Sequence, residues 1–68
     1  MRTQYLTSLG SKVRARREAL SFTQGELAAR AAVHRNVIGR LERGGYNPTV
    51  LTLLAVARAL RTPVQELV

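Results

Sequence analysis

The stretch AAVHRNVIGRLERGG, residues 31–45, carries basic and amide side chains at the spacing of a helix. At about 100° per residue, one arc of a helical wheel collects the polar side chains Arg35, Asn36, Arg40 and Arg43, together with Gly39. The opposite arc collects the aliphatic side chains Val37, Ile38 and Leu41. Guanidinium groups bind guanine edges and phosphates, and carboxamides bind adenine, so this outer face has the chemistry to bind a nucleic acid.

The excess of positive charge extends along the chain. The 68 residues include eleven Lys or Arg against four acidic residues, for a formal net charge of +7. A basic chain of this size commonly binds a polyanion, with nucleic acid favoured over an anionic membrane surface. GC-rich coding and Ala-rich helices would produce an Arg-rich composition without any such function, so the charge by itself leaves both readings open.

The remaining composition argues against catalysis and against a bound cofactor. There is no Cys and no Asp, the four Glu are scattered, and His34 is the only histidine. No nucleophile, base and orienting group can be assembled from this inventory, and no metal site is expected. We expect neither an enzyme nor a cofactor. Without an apolar run of about 18 residues or a secretory signal, we also expect no membrane span and a cytoplasmic, nucleoid-associated location.

Helical periodicity predicts an all-α fold for residues 1–68, taken as a single domain. Five helices are expected, at about residues 5–20, 23–31, 35–43, 48–60 and 63–68. Thr23 with Glu26 and Thr62 with Gln65 match the capping-box pattern, and Asn47–Pro48 matches a helix start. The apolar residues expected on the inner side of the fourth helix are Val50, Leu53, Leu54, Ala57 and Leu60.

Arg17 lies on the side of the first helix that should be buried, one turn after Val13. A lone charge there would be costly, so Arg17 needs a partner.

Residues 23–44, TQGELAARAAVHRNVIGRLERG, resemble the helix-turn-helix of the lambda-repressor and Cro-type (Xre-like) DNA-binding family. Upstream, LGSKVRARREALSFTQ resembles the first helix of that family, and downstream, NPTVLTLLAVARALRTPVQEL resembles the fourth and fifth, so the match spans residues 6–67. The resemblance implies a compact five-helix lambda-repressor-like domain whose helix-turn-helix is formed by helices two and three. It also implies a partner for Arg17, because this family pairs an arginine there with the glutamate of its LE-G sequence, here Glu42.

Two residues depart from the family pattern at the helix ends. Ala32 stands in the turn between helices two and three, and Ser21 at the end of helix one, where the family commonly has Gly. A residue other than Gly with positive φ costs about 1 kcal/mol or more. Either these turns differ slightly from the family's, or the domain tolerates the strain.

By position and by resemblance, the chain is expected to be a sequence-specific transcriptional regulator of double-stranded DNA, a repressor acting as a homodimer on a palindromic operator. Helix three would enter the major groove, and its base-reading candidates are Arg35, Asn36 and Arg40. The phosphate-binding candidates are Thr23, Gln24, Arg43, Tyr46, Asn47 and Thr49. The expected dimer surface is Val64, Leu67 and Val68, with the alternative that Val64 and Leu67 complete the core of the single chain.

A second class of function uses the same fold to bind protein. Controllers of restriction–modification operons and antitoxins are similar to this chain in size and layout. An antitoxin or adaptor would have a toxin or another regulator as its partner, with DNA binding secondary. The basic and amide face on helix three argues against the loss of DNA binding, and a salt titration separates the two classes.

Overall fold

The computed structural model describes residues 2–68, with side chains from residue 4 onward. The elements are α1 (Arg2–Ala19), α2 (Gln24–Ala31), α3 (Arg35–Glu42), α4 (Val50–Ala59) and a 3-10 turn at Val64–Glu66. No strand occurs within this described part of the chain. The fold is therefore all-α, as predicted.

The fifth predicted helix is a single 3-10 turn. Pro63 precedes it without any side-chain cap, so the predicted capping box between Thr62 and Gln65 is absent. Residues 64–66 form only one short turn, and without a capping side chain little offsets the cost of nucleating a longer helix. The five-helix prediction is thus wrong in its last element.

The start of α4 also differs from the prediction. Thr49 is the N-cap, and its hydroxyl accepts a hydrogen bond from the amide of Thr52 at 3.1 Å. Asn47 and Pro48 therefore precede the helix. Both Asn47 and Thr49 are residue types that cap helices, and the structure uses the second.

The core is built from every element of the fold. Its fully buried side chains are Leu9, Val13, Leu27, Ile38, Leu41, Val56 and Leu60, together with Leu67, which is 2% exposed. In α4, Val56 and Ala57 are buried, as is Leu60 at its C-cap, with Leu53 packed beside them. Val50 and Leu54, predicted to face inward, are 72% and 46% exposed, because the buried row of α4 is centred on Leu53 and Val56 instead.

A left-handed residue follows each of the four α-helices. Ser21 has φ 60°, Ala32 has φ 57° and Arg61 has φ 56°, while α3 ends at Gly44 with φ 76°. The turn between α2 and α3 keeps its left-handed conformation with Ala32 in place of Gly. The domain therefore tolerates the strain, which was one of the two outcomes expected from the sequence.

Helix α1 approaches the end of α3 closely at Gly10. A Cβ atom on Gly10 would lie 2.7 Å from the carbonyl oxygen of Glu42, and even closer to that of Leu41. Glycine is required there because the two backbones are almost in contact. This approach brings α1 beside the last turn of α3.

None of the helices within residues 2–68 combines the length and the hydropathy that a membrane crossing requires.

Candidate nucleic-acid interface

Helix α3 begins immediately after the turn at Ala32, and its first residues project into solvent. His34 is the N-cap in an extended conformation, and its Nδ1 accepts a hydrogen bond from the amide of Asn36 at 3.1 Å. The cap fixes the first turn of α3, so Arg35 and Asn36 occupy its leading positions and both are exposed. Leading residues of such a helix are the ones that reach base edges in a major groove.

The predicted base-reading residues share one surface cleft. It is lined by Gln24, Arg35, Asn36, Gly39, Arg40 and Arg43. The structure therefore brings Arg35, Asn36 and Arg40 together, and adds Gln24 and Arg43 from the group expected to bind phosphate. Gly39 forms the floor, since a Cβ there would lie 3.4 Å from Arg43 Nη1 and 3.7 Å from Gln24 Oε1.

Arg40 packs over an aromatic ring. The central carbon of its guanidinium lies 5.5 Å from the centroid of the Tyr46 ring, within the range of a cation–π interaction. This contact constrains an otherwise flexible side chain. Tyr46, which was expected to bind phosphate, therefore also contacts Arg40, one of the base-reading candidates.

The start of α2 carries the predicted capping box. The Thr23 hydroxyl accepts from the amide of Glu26 at 3.0 Å, and the Thr23 amide donates to Glu26 Oε1 at 2.8 Å. The bond from the Thr23 backbone, followed by that from its side chain, lowers the pKa of Glu26 below its ordinary value of 4.5. The Thr23 hydroxyl would have to give up its bond to the Glu26 carboxylate in order to donate to an incoming anion.

Arg17 and Glu42 form the ion pair expected from the resemblance. Arg17 Nε and Nη2 donate to the two carboxylate oxygens of Glu42 at 2.6 and 3.0 Å. The side chains are only 11% and 4% exposed, and Arg17 Nη1 also donates to the carbonyl of Phe22 at 2.8 Å. Its hydrogen bond with Glu42 raises the pKa of Arg17 above the ordinary value, against the opposing effect of burial. The pair ties α1 to the end of α3.

A further contact links this ion pair to the cleft. Gln24 Nε2 donates to Glu42 Oε1 at 3.1 Å, joining the start of α2 to the end of α3. This contact was not predicted from the sequence. The sequence shows only that Gln24 begins α2 and that Glu42 ends α3. Whether these two side chains come into contact depends on the angle at which the two helices cross.

Asn47 and Thr49, two of the residues expected to bind phosphate, lie immediately before α4. Asn47 and Thr49 are exposed but do not line the cleft. The Thr49 hydroxyl accepts from the Thr52 amide and donates to Thr52 Oγ1 at 3.0 Å. A phosphate contact through this hydroxyl would have to displace its bond to Thr52.

The predicted dimer surface divides between core and solvent. Leu67 is buried and Val64 packs against the core, whereas Val68 is 50% exposed. Because Leu67 is buried, it cannot contact a second copy, which agrees with the alternative that Val64 and Leu67 complete the core of the single chain. Three further aliphatic residues, all on α4, are exposed although the sequence did not predict it: Val50 at 72%, Leu51 at 80% and Leu54 at 46%.

Known proteins share both the sequence pattern and the fold. The HTH_3 family, described as helix-turn-helix, matches residues 13–67. The immunity repressor protein of Bacillus phage phi105 is 38% identical over 61 residues, which are 90% of this chain and 42% of that protein. Control protein C.SmaI of Serratia marcescens is 39% identical over 59 residues, covering 87% of this chain and 70% of that protein.

A solved structure extends the match to three dimensions. The crystal structure of the restriction-modification controller protein C.AhdI from Aeromonas hydrophila superposes with a TM-score of 0.90 at 32% identity, covering 93% of this chain and 96% of that one. These relatives are regulators and repressors, in agreement with the prediction that the chain is not an enzyme. The chain belongs to the HTH_3 family of helix-turn-helix DNA-binding transcriptional regulators, the lambda-repressor-like (Xre-like) group that its sequence resembles.

Proposed function

We propose that this chain is a sequence-specific repressor that binds a palindromic operator as a homodimer, with α3 in the major groove. The observation that carries the proposal is the exposed cleft on α3, where three guanidinium groups and two carboxamides surround a glycine floor. A helix about 10 to 12 Å across fits the major groove, and the cleft lies on the side of α3 that faces away from the core.

Within this proposal, the leading residues of α3 read bases. Arg35 and Arg40 present paired donors that match the O6 and N7 atoms of guanine, and Asn36 matches adenine. Each well-made bidentate contact discriminates by about 1 to 3 kcal/mol. The packing of Arg40 on Tyr46 supports its role, since a constrained guanidinium loses less freedom when it binds.

Phosphate contacts would surround this centre and fix the register of the protein on the duplex. Thr23 offers its hydroxyl at the start of α2, beside free amides of the first helical turn. Arg43 is exposed at the end of α3. The other proposed contacts, before and at the start of α4, come from Tyr46, Asn47 and Thr49.

Dimerisation is supported by the exposed aliphatic residues of the C-terminal half. We define the α4 aliphatic face as Val50, Leu51 and Leu54, which lie within about 100° of one another on the helix. Val68 follows the 3-10 turn, which packs against α4. A second copy covering these residues would remove them from water, and reading a palindrome would require its α3 to lie about one turn of DNA, roughly 34 Å, from that of the first copy.

A protein partner, such as a toxin or another regulator, is the alternative occupant of the same face. An interface closed by apolar side chains would respond weakly to salt, whereas DNA binding through phosphate contacts weakens steeply as salt rises. The net charge of +7 and the basic cleft favour DNA as the main ligand.

Selection of bound sites from random duplexes, at two salt concentrations, tests the proposal. A palindromic consensus is expected, and Arg35→Ala should relax preference at one position in each half-site. Arg43→Ala should weaken all sequences alike and lower the salt slope by about 1. Binding that is indifferent to base order, or a consensus unchanged by Arg35→Ala, would overturn the assignment of base contacts to α3.

A further inference from the structure

We propose that His34 is a positioning residue for base recognition by α3, and that discrimination between DNA sequences falls when its imidazole gains a second proton. The neutral ring holds the backbone of Asn36, and with it the leading turn that also carries Arg35. This inference rests on the proposed function, since it assumes that α3 reads bases in the major groove.

The capping contact determines which form of the imidazole is present. The backbone amide of Asn36 can only donate a hydrogen bond, and it lies 3.1 Å from His34 Nδ1. Nδ1 must therefore carry a lone pair, and the single proton of the neutral ring lies on Nε2. A proton on Nδ1 would set two N–H donors against each other, so protonation of the ring removes the cap.

His34 holds the first turn of α3 through both its side chain and its backbone. The first amides of a helix have no partner within the helix itself. In α3 the amide of Asn36 donates to the His34 ring, and the amide of Val37 donates to the His34 carbonyl at 2.9 Å. Val37 occupies the position that Glu26 has in α2, so this cap lacks the reciprocal side-chain bond that supports the cap of α2.

The charged side chains closest to His34 along the chain are basic. Arg30 lies in the last turn of α2, and Arg35 is the first residue of α3. Helix α4 has Arg58 as its only charged residue, and α1 meets α3 at the other end, beside Glu42. The positive end of the α3 dipole also lies at His34. An imidazolium at this position would therefore meet positive charge.

The carboxylates of the chain do not compensate for that charge. Glu18 pairs with Arg14, Glu26 accepts from the Thr23 amide, Glu42 pairs with Arg17, and Glu66 belongs to the C-terminal 3-10 turn. Within residues 4–68, no ion pair includes His34. Protonation of the ring thus replaces a capping bond with an uncompensated charge at the start of α3.

These changes should affect the reading of bases more than the attraction to DNA. Arg35 and Asn36 lie in the first turn of α3, so fraying of that turn alters how they approach base edges. An imidazolium also adds positive charge beside the duplex, and this charge attracts the phosphates of every sequence alike. Acidification should therefore weaken discrimination without weakening binding to a duplex of unrelated sequence.

Competition binding of the intact chain to its selected palindrome and to a scrambled duplex tests the proposal. The measurements are made at equal ionic strength, at about pH 8 and about pH 6, the range in which histidine is the side-chain type that ordinarily titrates. His34 is the only histidine, and the chain has no cysteine. We expect the ratio of the two affinities to fall by roughly 2- to 30-fold on acidification, the range that loss of one helix cap spans.

His34→Ser and His34→Ala form a matched pair of variants. The two side chains differ only in a hydroxyl group that can cap a helix, and neither titrates. The affinity ratio should be the same at both pH values for each variant, and it should be lower for His34→Ala. A fall with pH that persists in His34→Ser would come from another group and would overturn the proposal. Circular dichroism at each pH corrects for the folded fraction, and His34→Ser alone decides should His34→Ala not fold.

The form of the ring can be tested without DNA. Nitrogen-15 NMR of the imidazole at about pH 8 should show the proton on Nε2. A neutral ring protonated mainly on Nδ1 could not accept from the Asn36 amide and would overturn the positioning role.

The outcomes distinguish this inference from the proposed function. If the unmodified chain discriminates equally well at both pH values, the inference fails while the proposed function stands. If acidification tightens binding to both duplexes by the same factor, His34 acts only through its charge on phosphates, and its positioning role is overturned. If the unmodified chain discriminates at neither pH, the proposed function fails and the inference fails with it.

Discussion

Helices α3 and α4 each present an exposed face, and the two faces have opposite chemistry. That of α3 carries Arg35, Asn36, Arg40 and Arg43, whereas that of α4 carries Val50, Leu51 and Leu54. Single exposed aliphatic residues are common on protein surfaces, but several on one helix face form a patch of the kind that binds another protein. The difference indicates two separate tasks on one small domain: α3 is suited to a polyanion and α4 to an apolar partner.

The two faces should also respond differently to their surroundings. Under the proposed function, attraction between α3 and a duplex would come largely from released counterions and would therefore fall with salt. Association through α4 would come from the burial of apolar area, at about 25 cal/mol per Å², and would depend little on salt. Variants that change one face and leave the other untouched can test this separation.

The largest expected effect comes from placing a charge on the α4 aliphatic face. Leu51 is 80% exposed, so Leu51→Glu should fold normally while burying a carboxylate wherever a second copy docks. We expect loss of the dimer in sedimentation equilibrium and a fall of roughly 100-fold or more in affinity for a full palindrome. Affinity for an isolated half-site should change little.

Ser11→Glu, the same addition of negative charge at an exposed position of α1, is the control for charge alone. A Leu51→Glu chain that remains dimeric would mean that α4 is not the surface that holds two copies together.

Ala32→Gly should stabilise the fold without changing the exposed face of α3 or that of α4. Ala32 has φ 57°, which strains any residue with a Cβ, so relief should raise the free energy of unfolding by about 1 kcal/mol in urea denaturation. Ala29→Gly, an exposed change inside α2, should instead lower that free energy by roughly 0.5 to 1 kcal/mol. Equal effects from the two substitutions would show that the left-handed turn is not strained.

A smaller effect is expected at Tyr46, whose ring contacts Arg40 and whose hydroxyl is proposed to bind phosphate. Two substitutions separate these roles. If the ring constrains Arg40, Tyr46→Phe should keep base preference, and Tyr46→Leu should reduce discrimination at the Arg40-dependent base pair by about 2- to 5-fold in competition binding. If the hydroxyl binds phosphate instead, Tyr46→Phe should weaken every sequence equally.

The smallest expected effect is a pH dependence of the free energy of unfolding, which the N-cap of α2 should produce and the N-cap of α4 should not. The pKa of Glu26 is lowered in the folded chain, so its stabilising contribution is present above its ordinary value of 4.5 and is lost as pH falls through the lower folded value. Glu26→Gln should therefore differ from the unmodified chain in free energy of unfolding at neutral pH and converge with it in acid. Thr49→Ala removes a cap without a titrating group, and its effect should not change with pH.

The sequence predicted best what depends on neighbouring residues. The capping box at Thr23 and Glu26 lies within one turn, so local chemistry decides it. The ion pair of Arg17 and Glu42 spans 25 positions. It was expected because helical periodicity put Arg17 on the buried side and the family resemblance supplied a partner.

What the sequence did not predict depends on how the helices are arranged in space. Asn47 and Thr49 are both able to cap α4, and only packing selects Thr49. The exposure of Val50 and Leu54 follows from the rotation of α4 about its own axis. Most residues of α4 are apolar, so hydrophobicity alone did not show which side faces the core. The bond between Gln24 and Glu42 requires the crossing of α2 and α3 to be known.

The glycine at position 10 has a consequence for how this domain can change. Its missing side chain lets α1 lie directly on the last carbonyls of α3, so the orientation of α3 is set from behind by a backbone contact. A single added methyl group there would wedge the two helices apart and tilt the whole cleft at once. If α3 reads bases as proposed, single substitutions on its exposed face would change specificity one base pair at a time, whereas a substitution at Gly10 would displace all the proposed base-reading residues together.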